Sequence, residues 1–174
     1  YKVPNKKVRN FLFFNQKNIA KKYKKVYNYF KRRDARMKIF MLSFKVNGVK
    51  NIEKDIEINF YNKTLKRFSP CGSNIKGIFG PNGIGKTSII KGMDILRKIS
   101  LNDNYLTNDF NLIILDKIIN KKIEKASLEI EFLVIDDKKK KSRYVHSITI
   151  AITSPKEIKI LFENIKKKDP NTDQ

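Results

Sequence analysis

The chain of 174 residues carries 39 Lys and Arg against 17 Asp and Glu, a net charge of +22, and 40% of its residues are hydrophobic. That length suits one compact domain of about 100–200 residues, and the apolar fraction is enough for a core, which excludes a chain disordered throughout. No apolar run approaches the ~18–20 residues that span a bilayer, and Phe11-Leu12-Phe13-Phe14 is too short for the apolar part of a signal peptide, so the sequence predicts a cytoplasmic protein with no membrane role.

In chain order, the basic excess comes first. Residues 1–38 hold fourteen Lys or Arg and one acid, Asp34, which leaves only +9 on the other 136 residues. Such charge attracts phosphate backbones, which makes DNA a candidate partner. The abundance of Lys, Asn, Ile, Phe and Tyr is also what an AT-rich coding sequence yields without selection for any ligand. With Tyr23, Tyr27, Tyr29 and Phe30 interleaved, this arm could form a basic helix from about Asn15 to Arg33. It reads either as a binding arm or as sequence upstream of a domain that opens at Met37 or Met41.

From Phe40 the pattern turns to period two, with Leu42, Phe44 and Val46 on one side, which predicts a half-buried strand. Gly48 allows a turn, and a second strand over 55–60 predicts a hairpin. Pro70 and Gly72 mark 61–74 as a loop, in which the lone Cys71 has no partner thiol. A short apolar strand is predicted over 75–79. A helix then follows to about Ser100, with Ile89, Met93 and Leu96 on its stripe and Ile90 on the flank. A second helix is predicted over 110–123. Two alternating runs, Leu128 to Val134 and Tyr144 to Ile152, joined by the polar 136–141 segment, predict an antiparallel hairpin, with His146 structural inside it. A last strand is predicted over 157–162, the domain is read as 39–165, and 166–174 is read as a frayed tail.

The chemistry is carried by Gly80-Pro81-Asn82-Gly83-Ile84-Gly85-Lys86-Thr87-Ser88, which matches Gly-x-x-x-x-Gly-Lys-Thr, the P-loop pattern. Glycines at these positions let backbone N–H groups converge on phosphate oxygens, and the positive end of the following helix points at the same anion. Lys86 is predicted to place its ammonium between the β- and γ-phosphates of ATP, Thr87 to offer its hydroxyl to Mg²⁺, and Ser88 to donate to the α-phosphate. A second Mg²⁺-binding acid is harder to find. Asp116, after Leu112-Ile113-Ile114-Leu115, and Asp136, after Leu133-Val134-Ile135, both follow apolar runs. The blander reading makes the first part of a helix and the second part of a turn.

Met41 to Val46, Asn51, the strand ending at Phe60 and the run from Phe79 to Ser88 together resemble the start of an ABC-type ATPase head, of the group that includes SMC proteins, RecF and the OLD-like ATPases of phage defence. The resemblance covers roughly residues 39–163. It implies an α/β P-loop NTPase fold, here the N-terminal lobe with its antiparallel β-subdomain, and a function in ATP binding and hydrolysis. It also implies head-to-head dimers, and a signature motif, an acidic Mg²⁺-binding strand and a catalytic glutamate downstream of the hairpin. The chain would then be an incomplete part of a longer ATPase acting in DNA repair or defence. Two other readings stay open: a small P-loop kinase or GTPase, and a non-enzymatic basic nucleic-acid-binding protein.

Overall fold

The computed structural model describes residues 38–61, 76–136, 138–154 and 157–168. The chain divides into two units, Tyr1–Met37 and Lys38–Gln174, and all described residues belong to the second. The basic arm, Cys71 and most of the predicted 61–74 loop lie outside them.

Five strands and two helices make up the described chain: β1 Lys38–Asn47, β2 Ile56–Asn59, α1 Lys86–Leu101, α2 Asp109–Ile118, β3 Lys125–Ile135, β4 Lys141–Ser154 and β5 Glu157–Lys168. The strands form one sheet in the order β2-β1-β3-β4-β5. Every neighbouring pair is antiparallel. This is a small α/β protein with a five-stranded antiparallel sheet.

Period-two patterning sets the two faces. Val46 pairs with Leu128 and Leu128 with Ile148, so their side chains share one face with Phe44 and Ile150. That face holds the core, together with Ile89, Ile95 and Leu96 of α1 and Leu115 and Ile119 at the end of α2. Gly92 marks the closest approach of helix to sheet: a Cβ there would stand 3.1 Å from Val46 Cγ2 and 3.2 Å from Leu128 Cδ2. The opposite face is mostly polar. It carries the Glu131–Arg143 pair, whose arginine is only 2% exposed, and a small cluster of Phe40, Leu42 and Leu133.

Several sequence expectations are corrected. Residues 76–80 form no strand, because a lone extended segment needs a neighbour for its backbone groups and these residues pair with none of the five strands. Ile90 does not flank the buried stripe; it is 61% exposed, and the stripe runs through Gly92 and Ile95 instead. The second helix stops at Ile118 rather than 123. The Asn120 side chain accepts the backbone N–H groups of Lys122 and Ile123, offering the chain a tight turn in place of another helical turn. Finally, β5 runs on to Lys168, so 166–168 are strand and not tail.

His146 is buried on the helix-facing side of the sheet, with Nε2 3.2 Å from Glu163 Oε1, which agrees with a structural role.

Candidate phosphate-binding site

The turn after β1 and the N-terminus of α1 meet to form the site. The first four N–H groups of any helix lack intrahelical acceptors. In α2 they are served locally: Asn108 Oδ1 accepts from Phe110 and Asn111, and Asp109 adds negative charge to the first turn. At α1 the chain does the reverse. Its N-cap is Gly85, no side chain caps it, and the first turn holds no acid. The positive end of a sixteen-residue helix is therefore left to face whatever enters the loop.

Three glycines shape the approach. Gly80, Gly83 and Gly85 have φ of 151°, 88° and 102°, and the last two lie where side chains other than glycine's rarely go. Lys86 folds back over the loop, and its Nζ donates to the carbonyls of Gly80 and Pro81 at 2.6 Å each. The ammonium thus sits within the curve of the loop. Thr87 is exposed at the start of the helix. Ser88 is 3% exposed, and its hydroxyl donates to Asn51 Oδ1 at 3.1 Å.

Asn51 is the residue that sequence reasoning undervalued. Its Oδ1 accepts from Ser88, while its Nδ2 donates to the Gly83 carbonyl, so one amide ties the middle of the loop to the first turn of α1. The turn that carries it is itself fixed. Lys50 N donates to the Ile118 carbonyl, and the buried Asn120 donates from Nδ2 to the Lys50 carbonyl and from its backbone N–H to the Gly48 carbonyl. An asparagine in a turn is too ordinary for sequence alone to reveal such a role.

Between these parts lies a cleft of about 400 Å³, lined by Lys50, Asn51, Asn82, Lys86 and Thr87 among others. Lys50 adds a second cation. The close approach of the Lys50 side chain and its like charge hold the Lys91 ammonium below the ordinary lysine value. Repulsion of that sort is relieved when an anion enters.

The two candidate acids go elsewhere. Asp116 pairs with Lys121 at 2.5 Å and lines a separate groove of about 820 Å³ with Asp109, Leu112 and Glu124. Asp136 closes the β3–β4 turn by accepting the Lys140 backbone N–H at 2.7 Å, at the end of the sheet away from the Asn51 turn. Among the described residues, no three His, Cys, Asp or Glu side chains gather as a metal site. No helix among them is long and apolar enough to cross a membrane.

Comparison of the chain with protein-family models, with curated proteins and with solved structures gives no match.

Proposed function

We propose that this chain binds the triphosphate of ATP, with Mg²⁺, in the cleft between the Asn51 turn and the N-terminus of α1. The observation that carries this reading is the uncapped helix behind a loop of positive-φ glycines, with the Lys86 ammonium inside its curve. Each part favours an anion, and the Gly-x-x-x-x-Gly-Lys-Thr spacing is the one that suits a polyphosphate. A cleft of about 400 Å³ also lies within the usual range of small-ligand sites.

In this reading the backbone from Gly80 through Pro81, Asn82, Gly83, Ile84 and Gly85 wraps the phosphates. Lys86 exchanges its two carbonyl partners for β- and γ-phosphate oxygens, where its charge offsets charge that shifts during transfer. Thr87 offers its hydroxyl to Mg²⁺, which would supply neutralisation of the phosphate charge. Ser88 would have to turn its hydroxyl away from Asn51 to reach the α-phosphate, or serve instead to brace the loop. The wider setting we propose is the N-terminal lobe of an ABC-type, SMC/RecF/OLD-like ATPase head, working with a second head or a partner subunit.

Calorimetric titration with Mg-ATP tests the site. Lys86→Ala is expected to weaken binding by about 10–100-fold, the worth of charged hydrogen bonds. Its melting temperature should match the wild type, because the bonds given up are two contacts on an exposed loop. Unchanged affinity would remove the assignment.

A further inference from the structure

The groove of about 820 Å³ lies between one side of α2 and the end of β4. On α2, Asp109, Leu112, Ile113 and Asp116 recur at i, i+3, i+4 and i+7, so they share one side of the helix. Glu124 and Ile152 line the other wall, joined by the Ile152 N–H, which donates to the Glu124 carbonyl at 2.9 Å. The core takes the adjoining side of α2, at Leu115 and Ile119, and leaves Ile113 50% exposed. Within the groove Leu112 and Ile152 are half-buried, while Asp109 and Glu124 are exposed at its margin. Three carboxylates and one cation, Lys117, thus line it, in a chain whose net charge is +22. Asp116 is paired with Lys121, but neither Asp109 nor Glu124 enters an ion pair among the described residues.

We propose that this groove docks a short amphipathic helix of a partner protein, apolar on one face and flanked by Lys or Arg. Charge selects the flanks. A cation beside the apolar anchors meets Asp109 and Glu124, whereas an acidic segment would meet like charge. Backbone chemistry selects the helix. Near the groove Ile152 pairs with Ile158 and Ser154 with Glu157, and the Ile152 N–H is taken by Glu124, so an added strand would find these groups engaged. A helix satisfies its own backbone and needs only side-chain contact, its ridges seating between Ile113 and Ile152. The ten residues of α2 run about 15 Å, which a partner segment of about three turns would match. A small molecule is less well served, because Ile113 at the mouth is half exposed and small-ligand sites enclose most of what they bind. The groove shares no lining residue with the nucleotide cleft, so the proposal survives or fails independently of the ATP reading.

The test is fluorescence anisotropy of the full chain with a labelled peptide of about fourteen residues, four helical turns, carrying leucine on one face and lysine on the other. A peptide of the same residues shuffled off a single face, and one with glutamate for every lysine, should each bind about tenfold more weakly or worse. Two variants probe the groove separately. Ile113→Arg replaces the exposed anchor by a like charge, and Asp109→Asn with Glu124→Asn removes the unpaired acids, asparagine suiting the positive φ at Glu124. Each should weaken binding of the lysine peptide by about fivefold or more. All three positions are exposed, so thermal melts should show both variants folded. Ile90→Arg, and Glu57→Gln with Asp103→Asn, make the same kinds of change at exposed positions elsewhere and should alter little. No binding of the lysine peptide by the wild type up to about 1 mM would overturn the proposal. So would wild-type affinity in both groove variants, an equal loss in the controls, or equal binding of the glutamate peptide. Dimerisation in sedimentation velocity that Ile113→Arg abolishes, without peptide binding, would overturn it in favour of a second copy of the chain.

Discussion

Asn51 makes the clearest case at the scale of a residue. One amide donates to the Gly83 carbonyl and accepts from Ser88, so the shape of the glycine loop depends on a side chain more than thirty positions earlier in the chain. Replacing it by alanine leaves a hydroxyl and a carbonyl without their partner and lets the loop sample other shapes before binding. Asn51→Ala is expected to weaken Mg-ATP binding about tenfold, the effect of one or two hydrogen bonds, while the melting temperature moves by only a few degrees. Calorimetry and thermal melts read the two effects separately. A large fall in melting temperature with unchanged affinity for ATP would show that Asn51 serves the fold rather than the site. The glycines were legible in the sequence because positive φ is a local backbone demand, and Lys86 because it stands at its fixed place in the Gly-x-x-x-x-Gly-Lys-Thr spacing. Asn51 was not, because its partners are set by tertiary contact.

At the scale of the element, alternation located four of the five strands and reached the fifth only in part. Ile158 and Ile160 gave β5 away, but its second half reads Glu163-Asn164-Ile165-Lys166-Lys167-Lys168, too polar to look like a strand. Register with β4 holds it there. The buried stripe of α1 was likewise read as Ile89, Met93 and Leu96, although the closest packing occurs at Gly92, which carries no hydrophobic signal at all. A glycine inside a helix normally costs about 1 kcal/mol against alanine, so its presence calls for a packing reason, and the nearness of Val46 and Leu128 supplies it. Gly92→Val adds a branched side chain where even a Cβ is tight. It should lower stability by about 1–3 kcal/mol in urea unfolding, through displacement of α1 from β1 and β3. Gly92→Ala should cost less, since its helix propensity offsets part of the crowding. Equal or greater stability in the valine variant would mean that the helix can lift freely from the sheet.

For the whole molecule, the proposed ATPase head implies more than the described chain provides. Phe79 is 92% exposed, and Phe110 and Ile113 stand out from α2 at 70% and 50%. Among the described residues, the two candidate acids, Asp116 and Asp136, are engaged away from the cleft. Residues 1–174 are therefore expected to bind Mg-ATP but to release phosphate at a rate close to the uncatalysed background in a coupled assay, because much of the rate in phosphoryl transfer comes from groups beyond the cradle. Brisk turnover that disappears with Lys86→Ala would reject this. It would direct attention to Asp116→Asn and Asp136→Asn as the next variants.

The sequence by itself determined the glycine loop, the helix behind it and most of the strand alternation, because each depends on the conformational limits of a few adjacent residues. Tertiary structure decided the rest. It left 76–80 without a strand partner, sent both candidate acids away from the cleft, joined Asn51 to the loop and set Glu124 and the end of β4 across a groove from α2. Those outcomes depend on which strands pair and in what register, and pairing is a contest among all the strands at once that no local pattern can settle.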